Sequence, residues 1–146
     1  MDTLSSLVRD FWVWTKLPSI KWNNVDISKL PVPVEEFPEL SSMQTCCISR
    51  INTPLSEDEL NKFLLCMAVD NEDEEILDAC REVGSMEFIS GIIQAGVNHP
   101  QPMARWQMAE LLRRDIPNRK NYLIQLCCDA NAYVKKRAEN VLELVL

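Results

Sequence analysis

Two stretches that match each other at a spacing of 30 residues decide the fold, ARWQMAELL (residues 104–112) and VKKRAENVL (residues 134–142). In both stretches apolar residues recur at helical spacing, and turn-forming residues precede them at 98–102 and at 129–131. An earlier helix with Ile76, Cys80 and Val83 fits the same step loosely. Helix pairs that repeat at such a period predict an α-solenoid, in which each pair buries its apolar face against its neighbours. The fold class is therefore all-α, with about three helix pairs.

Helix start and stop signals support this prediction from residue 54 to residue 146. Ser56 and Glu59 form the S-x-x-E pattern of a capping box, which fixes a helix start. Gly84 is expected as the C-cap of the helix that contains Ile76, and Gly96 ends a helix that begins near residue 86. Further helices are predicted at 103–114, through 122–127 and at 133–146.

Residues 1–53 are predicted to form an N-terminal cap on the repeats of residues 54–146, within one domain. A helix is expected from residue 4 to residue 16, where Pro18 stops it, and a second helix from 40 to 51. Between them, residues 19–38 contain three prolines and are predicted to form an extended connection that is too apolar for a free linker. Three of the four tryptophans lie in the first 22 residues, which favours a cap over an apolar solenoid end.

Composition narrows the class of protein. The chain has 146 residues, of which 47% are hydrophobic and 25% charged, as in a globular domain. With only 3 glycines it has little material for phosphate-binding loops or tight hairpins. No secretory signal or membrane-spanning run is visible, and the six cysteines are expected to be reduced thiols. A cytoplasmic location is therefore expected.

The turns and helices around residues 98–142 resemble a known repeat. Residues 129–138, DANAYVKKRA, with Leu142 resemble the second helix of a HEAT-like repeat, which opens D-x-x-x-x-V-R-x-x-A and continues to a leucine. Residues 98–107, NHPQPMARWQ, are similar to the N-H-P-x-x-x-V-R-W form of small bacterial HEAT-like proteins, with Ala104 in place of the usual valine. The resemblance to HEAT-like (PBS-lyase-type) proteins covers residues 55–146. It implies a short solenoid whose second helices line a concave surface, and it says little about activity.

The charge distribution is uneven. Residues 57–87 hold 11 acidic side chains against Lys62 and Arg81, in a chain whose net charge is −7. Glu75, Asp78 and Glu82 are spaced to share one helix face. Such a face either is a solvated surface that complements a helix N-terminus or binds a basic partner. The HEAT-like resemblance would place it on the concave side, where partners dock.

Other residues are candidates for a binding or chemical role. Trp106 lies off the apolar stripe of its helix, so its ring is expected either at the surface or in the groove between neighbouring repeats, with Arg105 beside it as a candidate anchor. His99 is expected to be a turn residue that satisfies a helix end, and the adjacent cysteine pairs match core packing rather than a zinc pattern. The candidate partner-binding residues are Asp73, Glu75, Asp78, Glu82, Arg105 and Trp106.

These observations favour a binding protein over an enzyme. The sequence offers no nucleophile with its base, no cofactor fingerprint and no metal pattern, so no catalysis, cofactor or small-molecule substrate is expected. The acidic balance, with a pI of about 4.7, argues against nucleic acid as the partner. The chain resembles the HEAT-like immunity proteins of bacteria, which neutralise a cognate toxin in the cytosol of the producing cell. A HEAT-repeat scaffold or adaptor is the alternative, and a HEAT-like DNA glycosylase or lyase a weaker one because a basic concave face is missing.

Overall fold

The computed structural model describes residues 3–146, which form eight α-helices and three short 3₁₀ turns without a β-strand in that range. The all-α prediction is confirmed. The helices are α1 Leu4–Thr15, α2 Leu40–Arg50, α3 Glu57–Val69, α4 Glu75–Val83, α5 Met86–Gly96, α6 Pro102–Leu111, α7 Arg119–Cys127 and α8 Ala132–Val145. None of these helices is both long enough and apolar enough to cross a lipid bilayer.

Local capping explains where several helices begin. Ser56 and Glu59 form both hydrogen bonds of the predicted capping box at the start of α3. The Asn131 side chain accepts from the main-chain N–H groups of Tyr133 and Val134 at the start of α8. The helix predicted at 103–114 is shorter, because the main chain of residues 112–114 turns with i to i+3 hydrogen bonds after α6 ends.

The connection between α1 and α2 wraps against the helices. Ile27, Val34 and Phe37 are buried in the same core as the helices, as expected for a segment that is too apolar to hang free. Gln101, at the N-terminus of α6, holds this segment in place through both ends of its buried amide. Its Oε1 accepts from the N–H of Ile27 at 2.9 Å, and its Nε2 donates to the carbonyl of Val25 at 2.8 Å.

Each helix packs on two or more others. Helix α3 contacts α1 and α5, and α4 lies against α2 and α6. The closest pairs in the C-terminal half are α6 with α8 and α7 with α8. The central helix α3 departs from a regular stack, because it packs more on α6 than on α4. Every residue from Phe63 to Val69 is buried, so the C-terminal half of α3 is surrounded on all sides. Gln107 of α6 donates to the Met67 carbonyl in this half at 2.8 Å. The solenoid of three HEAT-like pairs stays a prediction.

Gly84 ends α4 as predicted, but for a different reason. Its φ of −65° is open to any residue, so no left-handed turn requires glycine. Instead, the chain passes so close to its neighbours that a Cβ would lie 2.5 Å from the Cys80 carbonyl oxygen and 2.5 Å from Cδ1 of Ile89. Packing between α4 and α5 therefore selects glycine at this position.

Candidate functional site

Helix α4 is positioned by a buried carboxylate, Asp70. Its N-cap residue, Glu74, forms no capping hydrogen bond, and Asp70 takes over this role by accepting from the N–H of Ile76 at 2.9 Å. The other oxygen of Asp70 accepts from Nε2 of Gln44 on α2 at 2.6 Å. Burial raises the pKa of Asp70 to about 6, against the lowering effect of these hydrogen bonds. The acidic segment is thus fixed to the body of the protein through α2.

The acidic face of α4 consists of Glu75, Asp78 and Glu82, all exposed to solvent, while Ile76 and Cys80 point into the core. Within residues 3–146 none of these three carboxylates takes part in a side-chain hydrogen bond or an ion pair. The face is therefore a rigid row of negative charge without an internal counter-ion.

Asp73 lies in the turn that leads into α4 and is also exposed. Its Oδ2 accepts from Nε2 of Gln44 at 3.0 Å. The side chain is thus oriented by α2 beside the acidic face, with one oxygen partly engaged.

Arg105 is used inside the protein. Its guanidinium makes a two-point ion pair with Asp129, at 2.8 and 3.0 Å, and its Nη1 donates to the carbonyl of His99 at 2.9 Å. These bonds tie the turn before α6 to the turn before α8. With only 17% of its side chain exposed, Arg105 does not stand free as the expected partner anchor.

Trp106 is only 2% exposed, so the structure corrects its interpretation as a surface anchor. Of the two predicted places, it occupies the groove between α6 and α8. The Arg137 guanidinium lies 4.3 Å from the centre of the ring, and Tyr133 meets it edge to face at a centroid distance of 5.7 Å. Its buried indole N–H has no acceptor within residues 3–146.

Basic side chains of the C-terminal half are likewise engaged internally. Glu110 is 4% exposed and pairs with Arg137 at 2.8 Å and with Arg113 at 2.7 Å. Arg114 donates to the carbonyl of Gly84 at 2.5 Å. Arg113 and Arg137 are therefore paired with an internal carboxylate, whereas the carboxylates of the acidic face have no such partner within the described residues.

His99 is buried and takes part in a hydrogen bond at the start of α6. Nδ1 of His99 accepts from the N–H of Gln101 at 3.1 Å, which is the predicted role at a helix end, and burial lowers the pKa of His99 to about 4.

Cys47, Cys66 and Cys80 are buried, and burial raises the pKa of Cys80 to about 12, so its reactive thiolate is suppressed. In contrast to the core role expected for the pair, Cys128 is exposed. Among residues 3–146, no group of three or more His, Cys, Asp or Glu side chains is placed to hold a metal.

Sequence reasoning missed the surroundings of Trp106. Met103, Tyr133, Glu72 and Glu74 line a cavity of about 330 Å³ together with Trp106. Part of this lining could have been predicted from the internal spacing of 30 residues. This spacing aligns Met103 with Tyr133, which lie in the first turns of α6 and α8. Nothing in the local sequence links Glu72 and Glu74 to these aromatic residues.

No protein-family model matches the chain, and comparisons with curated proteins and with solved structures gave no match. The relationship to HEAT-like repeat proteins thus stays a prediction from the residues that carry it.

Proposed function

We propose that this chain is a protein-binding module whose acidic α4 face engages a basic protein, and that it acts as a cytosolic immunity or inhibitor protein against a cognate bacterial toxin. The observation that carries the proposal is the row of Glu75, Asp78 and Glu82, exposed and without an internal ion pair. Like charges on one helix face cost about 0.2–0.5 kcal/mol per pair, a cost that a basic partner would reverse.

The acidic α4 face is expected to speed the association with a basic partner. The fixed helix presents its charges without a large ordering cost, and a field of one sign steers an oppositely charged partner toward it. A toxin that acts on nucleic acid would itself carry a cationic cleft, which such a face would cover. Association is therefore expected to be fast at low salt and to slow as the salt concentration rises.

The test is affinity capture from the native cells at low and at high salt, with identification of the retained proteins by mass spectrometry. The critical variant reverses all three charges of the face, Glu75→Lys, Asp78→Lys and Glu82→Lys. A matched control reverses three exposed carboxylates on other elements, Glu36, Glu139 and Glu143.

We expect the wild type and the control to retain one basic protein, the charge-reversed variant to lose it, and high salt to release it. Co-expression should then relieve the toxicity of the captured protein. Equal retention by the charge-reversed variant contradicts the proposed surface. Several unrelated partners without relief of toxicity would favour the scaffold alternative.

A further inference from the structure

The cavity beside Trp106 combines aromatic walls with unpaired carboxylates. It lies where the turn before α4 meets the first turns of α6 and α8, and its lining residues are Asn71, Glu72, Glu74, Met103, Trp106 and Tyr133. Neither Glu72 nor Glu74 forms a side-chain hydrogen bond or an ion pair within the described residues. Tyr133 is 46% exposed, so part of its ring is open to solvent.

The chemistry of this lining fits a guanidinium group. A planar cation stacks on aromatic rings and forms charge-assisted hydrogen bonds with carboxylates, and its weak hydration lowers the cost of entering a half-enclosed space. The protein already shows this combination beside the cavity, where the Arg137 guanidinium contacts both the Trp106 ring and the Glu110 carboxylate. A volume of about 330 Å³ is at the small end for ligand pockets and suits one long side chain.

A second cavity extends the first along the wrapped connection. It measures about 410 Å³, shares Asn71, Glu72 and Met103 with the first, and is also lined by Pro31, Val32 and Glu35. No Lys or Arg is among the described residues that line either cavity. These two adjoining cavities, which we call the groove, together present three carboxylates, those of Glu35, Glu72 and Glu74.

The indole N–H of Trp106 is an independent sign of a missing partner. It is a buried donor without an acceptor, and the residue that carries it lines this cavity. A main-chain carbonyl of a bound segment would satisfy this donor once the cavity wall rearranges to admit it.

We infer that the groove between the turn before α4 and the first turns of α6 and α8 binds an arginine side chain on an extended segment of the partner protein. This inference rests on the proposed function, in that the partner is a basic protein. It adds a specific contact to the diffuse attraction of the acidic α4 face.

The test uses the full chain and an acetylated, amidated Gly-Arg-Gly-Arg-Gly peptide, titrated by calorimetry and by NMR of the tryptophan indole N–H signals. We expect the Trp106 signal to move. The Trp12 indole N–H is equally buried and equally without an acceptor but lies in the N-terminal core, so its signal should stay. A peptide with citrulline in place of arginine, which keeps the shape without the charge, should bind at least about tenfold more weakly.

Two double variants distinguish binding in the groove from the general attraction of a negatively charged protein for a cationic peptide. Glu72→Gln with Glu74→Gln should weaken peptide binding about tenfold, whereas Glu57→Gln with Glu87→Gln makes the same change in net charge elsewhere and should alter it less than about twofold. Equal losses in both pairs, or an unmoved Trp106 signal, overturn the inference. If a captured partner depends on Glu75 but not on Glu72 and Glu74, the groove is refuted and the proposed function stands. If the arginine peptide binds as expected but no basic partner is captured, the groove stands and the proposed function fails.

Discussion

Replacing Asp70 by asparagine should change how stability depends on pH. Burial raises the pKa of Asp70 to about 6 in the folded protein, against about 3.9 in an unfolded chain. The folded state therefore holds the proton more tightly, and the stability linked to this group is present below pH 4 and is lost as the pH rises through 6. Two pKa units correspond to about 3 kcal/mol. The asparagine side chain cannot ionise, and its Oδ1 can still accept from the N–H of Ile76. Its Nδ2 can donate to Gln44 if the Gln44 amide turns over, which gives up the hydrogen bond from Gln44 to Asp73.

The assay is urea unfolding, followed by circular dichroism, at several pH values from 4 to 7. The free energy of unfolding of Asp70→Asn, minus that of the wild type, should rise by about 2 kcal/mol across this range, because the unfolded carboxyl is already half ionised at pH 4. Asp78→Asn, at an exposed position of α4, serves as the control for the loss of one negative charge. A difference for Asp70→Asn that stays constant within about 0.5 kcal/mol would refute the reasoning, because the carboxyl would then ionise as it does in water.

His99 should show the opposite sign, which makes the pair a stringent test. Its pKa falls to about 4 when folded, from about 6.5 when unfolded, so its contribution is complete above pH 6.5 and is lost as the pH falls to 4. In the wild type these two effects oppose each other between pH 4 and 6. Urea unfolding from pH 7 to pH 4 measures this contribution. The free energy of unfolding of His99→Asn should fall by about 3 kcal/mol less over this range than that of the wild type.

Four further substitutions test the packing by urea unfolding. Gly91→Ala should stabilise the protein by about 0.5–1 kcal/mol, because an added Cβ in this exposed helix meets nothing within 4 Å, whereas Gly84→Ala should destabilise it since the main chain and Ile89 occupy that space. Glu110→Gln should cost about 3 kcal/mol and alter tryptophan fluorescence, because the paired arginine lies over an indole ring. Gln101→Ala should cost about 2–4 kcal/mol and speed proteolysis within residues 19–38, because it frees two main-chain groups; an unchanged cleavage rate would show that this clamp is not needed.

Features set by neighbours in sequence were predictable. The capping box of Ser56 and Glu59 depends on residues three positions apart, so the start of α3 follows from local chemistry. The exposure of Glu75 and Asp78 opposite Ile76 likewise follows from helical periodicity.

Features set by distant residues were not predictable. Trp106 lies off the local apolar stripe, and its burial depends on Tyr133 and Arg137, about one repeat further along the chain. Arg105 looked available for a partner because its counter-ion, Asp129, comes from another turn. The groove beside Trp106 requires the packing of α4, α6 and α8 to be known before its lining residues can be grouped.

The amide of Gln101 also affects the order in which the chain can fold. Its two hydrogen bonds join positions 74 and 76 residues apart in sequence. Closing so long a loop costs conformational entropy before the two hydrogen bonds can form. The main chain at Val25 and Ile27 therefore cannot take its final position until α6 is formed and in place. During synthesis Val25 and Ile27 therefore wait for a helix that emerges much later, although Trp22 and Phe37 of the same connection already have aromatic partners in α1.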